Sequence, residues 1–326
     1  MRPFSYARAA DAASAITLVR GRPDGAFLAG GTSEVDLVRQ DVLRPGLLVD
    51  INDLPLDFIE DLPDGGLRIG AVARMSDVAR AAAVMERFPM ISQALLLGAS
   101  AQLRNMASMG GNLCQRVRCS YFRDAVSPCN KREPGSGCPA ISGANRTHAV
   151  LGTSDSCVAT HASDVAVALI ALDAEIRLAS LSGARTVRLA DFYRLPGDTP
   201  EVENDLRPGE LITEVVVPRL DWARRSTYVK VRDRQSYEFA ICSAAVALDI
   251  RDSRVADARV AVGGVATRPW RLASVEAALR GAPATPEAFE DAASVAAEGA
   301  RPLSGNAFKV SLLKRTVVRA LVEGSR

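Results

Sequence analysis

Apolar and polar positions follow helical and strand periods in turn along the chain. Residues 8–20 set Ile16, Leu18 and Val19 among alanines at roughly helical spacing. A short apolar run at 26–29 meets Gly30-Gly31-Thr32-Ser33, and 34–39 returns to helical character. This predicts strand, glycine turn and helix, with Thr32 or Ser33 as the helix cap. Residues 47–51 and 67–71 read as further strands. Between them Asn52-Asp53-Leu54-Pro55 breaks the pattern and marks a subdomain boundary. Ser76 and Asp77 predict the start of a helix running to about 83, and 89–98 predict a mostly buried helix ended by Gly98. Ser163-Asp164 opens a strongly apolar helix at 165–174, followed by strands at 175–178 and 211–217.

From about 222 the texture changes. Residues 226–234, 240–250 and 255–265 read as three strands, and 272–280, 286–298 and 307–323 as three helices. Strands followed by helices predict an α+β C-terminal domain. Residues 105–164 fit neither period, being rich in Gly, Pro, Ser, Asn and Arg, and loop and turn also fill 185–210. A long irregular segment in a globular protein is usually functional, or is held by something other than an apolar core.

At 326 residues the chain is long for one core, and two or three domains are expected. A net charge of +2 with mixed signs points to no particular partner. The absence of a basic block, with aromatics at 5%, argues against nucleic acid. No apolar run is long enough to span a membrane. The N-terminal residues have neither an apolar signal core nor a twin-arginine pattern, so secretion under a signal of its own is not expected. The thiols are then expected to bind metal or stay reduced, unless the chain is exported folded onto a signal-bearing partner.

Five of the six cysteines and both histidines, His148 and His161, fall within 105–164. The spacing is Cys114-x4-Cys119-x9-Cys129-x8-Cys138-x18-Cys157, with Cys242 alone elsewhere. Structural zinc usually takes closer pairs, and only Cys114/Cys119 approaches that. An iron–sulfur cluster accepts wider spacing if the fold supplies the geometry. Cluster, zinc, disulfides and unliganded thiols all remain open on chemistry alone. The histidines sit in a polar loop, as ligands or as simple hydrogen-bonding groups. Arg116, Arg118 and Arg123 would balance the charge of a thiolate-bound cluster, or form a solvated face. The Gly30-Gly31 turn lets backbone amides approach a phosphate, though a tight turn without ligand has the same sequence. No GxGxxG or GxxxxGK[ST] occurs, so a dinucleotide would not be held in the Rossmann manner.

Three motifs in order, however, resemble one family. They are Ala29-Gly30-Gly31-Thr32-Ser33, then Arg104-Asn105-Met106-Ala107-Ser108-Met109-Gly110-Gly111-Asn112, then Ser163-Asp164 with its apolar helix. The chain resembles, over essentially its whole length, the FAD-binding medium subunit of the xanthine dehydrogenase family of molybdenum hydroxylases. Most members pass directly from the second motif to the third. The cysteine-rich insertion at about 113–160 is similar to the branch that also carries a 4Fe-4S cluster, nearest the bacterial periplasmic aldehyde oxidoreductase type.

The resemblance implies an α+β protein with a two-subdomain FAD-binding fold of the p-cresol methylhydroxylase/vanillyl-alcohol oxidase type. The divisions would be 1–55, 56–220 with the insertion, and a C-terminal domain at 221–326 built on a three-stranded antiparallel sheet. FAD would sit on the amides of Ala29, Gly30, Gly31, Thr32 and Ser33, with Gly110, Gly111 and Asn112 as a second wall. Ser108 and Asn112 would bond phosphate or ribityl oxygens, and Asp164 a ribityl or ribose hydroxyl. Lys230 would stand near the flavin, or be a strand-surface lysine; Tyr237 would stack on the ring or simply pack. The cluster ligands would be Cys119, Cys129, Cys138 and Cys157, leaving Cys114 out. The implied role is electron transfer in a heterotrimer with a large molybdenum-cofactor subunit and a small 2Fe-2S subunit. Electrons would run from the 2Fe-2S clusters to FAD and on to an external acceptor. The location would be periplasmic by co-export, or cytoplasmic. No acid/base pair or nucleophile for substrate stands out. The competing readings are a zinc- or disulfide-stabilised binding module without flavin, and a stand-alone flavoprotein oxidase.

Overall fold

In the computed structural model, which describes residues 2–326, the strands form three sheets. The first is parallel, with order β1 (Ser5–Arg8), β3 (Leu47–Asp50), β2 (Gly25–Leu28). The Ala12–Arg20 helix makes the crossover. It opens on a reciprocal cap, Asp11 accepting from the Ser14 amide at 2.7 Å while the Asp11 amide donates to Ser14 Oγ at 3.0 Å. Its buried Ala15, Ile16 and Val19 meet Leu47, Val49 and Ile51. Burial of Ile16 and Val19 contributes about 1.5–3 kcal/mol each. β1 has no sequence signature, because Ser-Tyr-Ala-Arg lies mostly exposed at the sheet edge and shows no apolar alternation.

The second sheet is antiparallel, in the order β4 (Ile59–Asp61), β5 (Leu67–Gly70), β8 (Leu211–Val217), β6 (Glu175–Ser180), β7 (Gly183–Arg188). β7 too is a polar edge strand and went unpredicted. The expected helix from Ser76 is two short ones, Met75–Arg80 and Ala82–Arg87, broken where Ala81 turns extended. Its start is Arg74 rather than Ser76 or Asp77, with no side-chain cap.

The third sheet runs β12 (Trp270–Arg271), β11 (Arg254–Gly263), β10 (Cys242–Arg251), β9 (Ser226–Val231), all antiparallel. Three strands were expected. β12 is only two residues long, too short to show a period. One face packs on the helices Ala273–Leu279 and Phe308–Gly324, with Pro286–Ala293 packed against those two. The other packs on Asp164–Ala171 and Pro89–Leu97. Burial on both faces explains why β10 is apolar without alternation from Cys242 to Leu248, interrupted only by Ser243.

The cysteine-rich segment has almost no regular structure beyond the Ser120–Arg123 turn of helix and a 3-10 turn at Pro139–Ile141. Side chains from the C-terminal region therefore satisfy its backbone. Buried Asn306 donates to His148 O and Ala149 O, both at 3.2 Å. Lys309 Nζ donates to Thr147 O at 2.9 Å and to Gly264 O at 2.7 Å. The Gly305 amide donates to Asn145 Oδ1 at 2.8 Å. Replacing Asn306 by Leu strands two carbonyls and the Leu303 amide, which it accepts at 2.6 Å. The expected loss is about 2–4 kcal/mol of unfolding free energy, read by urea denaturation.

Candidate functional site

The carboxyl ends of β2 and β3 open on a cavity of about 780 Å³. In open α/β sheets this edge is where ligands bind. Its lining includes Ala29, Gly30, Gly31, Thr32, Ser33, Ser108, Gly110, Gly111, Asn112, Asp164 and Lys230. All the residues expected to touch the dinucleotide thus face one space.

Gly30 is forced by close approach: a Cβ there would stand 1.9 Å from Met106 O. Gly31 turns the chain at φ +67. Arg74 clamps the two loops, donating to Met106 O at 2.6 Å and to Asn52 Oδ1 at 2.9 Å, while Asn52 donates to Ala29 O at 3.0 Å. Asn52 and Arg74 were not singled out from sequence. Among the described residues, no backbone carbonyl accepts from the amides of Gly30, Gly31, Thr32 or Ser33. Four free amides make a concave donor surface. Ser33 does not cap the Glu34–Arg39 helix through its side chain; instead its Oγ accepts from Arg118 Nη2 at 2.7 Å. That helix is six residues long, so few peptide dipoles add up.

The second wall is different. The Gly110 amide is taken by Ala71 O at 2.8 Å, and the Gly111 amide by Ser108 Oγ at 3.3 Å. Asn112 Oδ1 accepts from Ser163 Oγ at 2.5 Å. Asn112 Nδ2 also donates to Met75 Sδ at 3.3 Å, so what this wall still offers is the Ser108 hydroxyl proton and the second Asn112 side-chain N–H.

Asp164 and Lys230 are not a free acceptor and a free cation. They pair at 2.8 Å, both buried. Tyr228 donates to the same carboxylate at 2.7 Å, and Lys230 Nζ also donates to Leu97 O at 3.1 Å. Burial pushes the Asp164 carboxyl up, with Lys230 and Tyr228 pulling it back. The surface-lysine reading fails, because the Lys230 side chain is buried against Asp164 and the Leu97 carbonyl. Tyr237 is half-exposed at the rim in the left-handed region, φ +52, beside Arg234 and the exposed Phe239.

A second, smaller cavity of about 10 Å³ is room for one water. Cys119, Cys129, Cys138 and Cys157 all line it, with Val117, Phe122 and Ala159. Cys114 does not. It lines the large cavity instead, its thiol pushed up to about 12 by burial and by Glu203. Burial raises Cys119 to about 11, and raises Cys138 and Cys157, with Lys131 opposing the rise at Cys157. None of the six cysteines is in a disulfide. Among the described residues no group of three or more His, Cys, Asp or Glu is gathered tightly enough to grip one metal ion.

The histidines are less polar in setting than expected. His148 is buried with Nε2 3.2 Å from Cys119 Sγ, and burial holds it down to about 4. His161 accepts from the Ser163 amide at 3.2 Å and packs edge-on against Tyr193. The arginines also depart from expectation. Arg116, Arg118 and Arg123 line the large cavity and not the cysteine cavity. Arg123 pairs with Asp36, and Arg116 with Glu203. The cation beside the cysteines is Lys131, which pairs with Glu203 at 2.9 Å.

Residues 2–220 match the family described as the FAD binding domain in molybdopterin dehydrogenase, and 227–323 the CO dehydrogenase flavoprotein C-terminal domain. The chain belongs to the FAD-binding medium subunits of the molybdenum hydroxylase family. It is 45% identical to the aldehyde oxidoreductase FAD-binding subunit PaoB of Escherichia coli (strain K12), over 99% of this chain and 98% of that one. It is 30% identical to the glyceraldehyde dehydrogenase medium chain of Sulfolobus acidocaldarius, over 98% and 95%. Among solved structures, quinoline 2-oxidoreductase from Pseudomonas putida 86 superposes with a TM-score of 0.78 at 22% identity, over 99% and 97%, a likeness of fold alone.

As a medium subunit of this family, the chain is the FAD-binding part of an oxidoreductase complex. The large cavity fits that cofactor. Its volume lies in the range of about 300–1,000 Å³ usual for cofactor sites. Gly30 leaves no room for a side chain, and the adjacent amides are free for phosphate oxygens. Lys230→Met leaves the buried Asp164 unpaired and is expected to cost about 3–5 kcal/mol by urea denaturation. The Asp164→Asn/Lys230→Met double variant should recover part of that loss, since no unpaired charge remains.

Proposed function

We propose that this medium subunit is the electron-transfer component of a heteromeric aldehyde oxidoreductase, holding FAD in the large cavity and a 4Fe-4S cluster in its insertion. It would work with a large molybdenum-cofactor subunit and a small 2Fe-2S subunit, and deliver electrons to an external acceptor. The observation that carries the cluster reading is the convergence of four cysteines, and not the fifth, on one cavity. A cubane spaces its thiolates farther apart than a single ion does. Four sulfurs around a shared space are the ligand number such a cluster takes. The aldehyde reading is supported by the 45% identical relative, an aldehyde oxidoreductase FAD-binding subunit.

When bound, FAD exchanges two-electron for one-electron traffic, and an iron–sulfur cluster carries single electrons. The chain's own residues set the conditions. Val117, Phe122, Ala140 and Ala159 keep water from the sulfurs. Lys131, nearly buried, places a positive charge where four thiolates would add negative ones. Asn130 and Ser136 fix the loop around Cys129: Asn130 Oδ1 accepts from the Gly137 amide at 2.7 Å, and Ser136 Oγ from the Cys129 amide at 2.9 Å.

The purified complex should show flavin absorption near ~450 nm, a broad iron–sulfur shoulder and about four iron atoms per medium subunit in excess of those in the small subunit. Cys129→Ser and Cys157→Ser should lose that iron, and Cys114→Ser should keep it. A wild-type chain carrying zinc in place of iron sinks the cluster reading. Full iron in Cys119→Ser would reassign the ligand set.

A further inference from the structure

Two arginines of the insertion have a place in the large cavity that the cysteine chemistry does not account for. Arg118 and Arg123 stand one and four residues from Cys119, yet both point away from the sulfurs. Arg118 Nη2 donates to Ser33 Oγ at 2.7 Å, and a second nitrogen lies 3.8 Å from Asp36. Arg123 holds the same Asp36 carboxylate through Nη2. One acid therefore serves two guanidinium groups, and one positive charge is left over. Glu34, which also lines the cavity, has its carboxyl pushed up by burial and faces Arg116, which Glu203 already holds.

The spare charge comes with spare donors. Arg118 Nε and Arg123 Nη1 are buried and have no hydrogen-bond partner among the described residues. A buried N–H without an acceptor is costly, more so on a charged group. An anion beside them would take the orphaned donors and balance the charge left over. Next to them lie the four free amides of Gly30–Ser33, reached through the Ser33–Arg118 bond.

We propose that Arg118 and Arg123 bind the diphosphate of FAD, so that the cysteine-rich insertion supplies the cationic wall of the flavin cavity. The inference rests on FAD occupying that cavity, and it does not require the cluster. A diphosphate has two charges and enough oxygens to take the amides and both arginine forks together, which a neutral ribityl chain or adenine ring does not. The ion pair with Asp36 then acts as the support that keeps both forks turned toward the amides.

The test strips flavin from the full chain and titrates it with FAD and with riboflavin, which lacks the diphosphate. In the wild type FAD should bind far more tightly than riboflavin, and added salt should weaken only FAD. Arg118→Met/Arg123→Met should lose about 10- to 100-fold in FAD affinity, with riboflavin changed less than about 2-fold. Equal losses for both ligands would make the arginines structural and overturn the proposal, as would no loss for FAD. Should that variant fold poorly, Arg123→Lys and competition on the wild type decide. ADP must displace FAD where adenosine does not, and equal competition by the two overturns it. A wild-type chain that takes neither flavin refutes FAD in the cavity altogether. One that takes riboflavin as tightly as FAD refutes only the role of the arginines.

Discussion

The Ser163 hydroxyl donates to Asn112 across 2.5 Å, joining two residues 51 apart in sequence. That bond closes the cysteine-rich excursion at its base. Asn112 lies within the short Met109–Leu113 helix that forms one cavity wall, and Ser163 caps the apolar Asp164–Ala171 helix, its Oγ accepting from the Ala166 amide at 3.0 Å. The two motifs therefore meet as though the intervening chain were absent. Loop-closure entropy grows only with the logarithm of length, so a long excursion between fixed ends adds little to the cost of folding. What it must still do is satisfy its own backbone.

It does so by borrowing. Helices and strands would ordinarily supply the partners. Here Asn306, Lys309 and the Val265 carbonyl supply them from the C-terminal domain, and Arg132 from within, donating to Phe122 O at 2.7 Å and Tyr121 O at 3.0 Å. The apolar contribution is small and shared. Leu37 and Val42, from the segment after the glycine turn, pack with Val117, Phe122, Cys129 and Cys157 in one cluster. The helix that follows the free amides thus rests on the cysteine module. A shift in that module would be transmitted to Ser33 and Asp36 through both the packing and the arginines.

Short-range features were legible in the sequence. The glycine turn, the Ser163 cap and the long strands of the third sheet each depend on neighbours a few residues away, and each shows its period or its cap residue. The features that stayed hidden depend on tertiary contacts. Lys230 and Asp164 are 66 residues apart, and nothing local says that they neutralise each other. Arg118 sits beside a cysteine in sequence, but its partners Ser33 and Asp36 lie more than 80 residues away. The polar edge strands β1 and β7 are defined by the partner strand and not by their own composition. Among the cysteines, spacing alone left zinc, cluster and thiols open. The resemblance picked four of five, and their common cavity is a tertiary fact that no spacing rule contains.

The partition between the two cavities follows from the same displacement of charge. Arg116 lines the large cavity, Lys131 lines the small one, and Glu203 bridges them. Glu203 thus pairs with two cations at once. The group is only partly exposed, so solvent screens it less than a surface triad. An apolar partition would make anions on its two sides repel each other at low dielectric. A cationic one attracts an anion from either side. The large cavity, with four amides and two arginines, presents donors to negative charge, and Lys131 stands beside the four thiols of the small one. Glu203, set between Arg116 and Lys131, keeps the two cations from repelling one another.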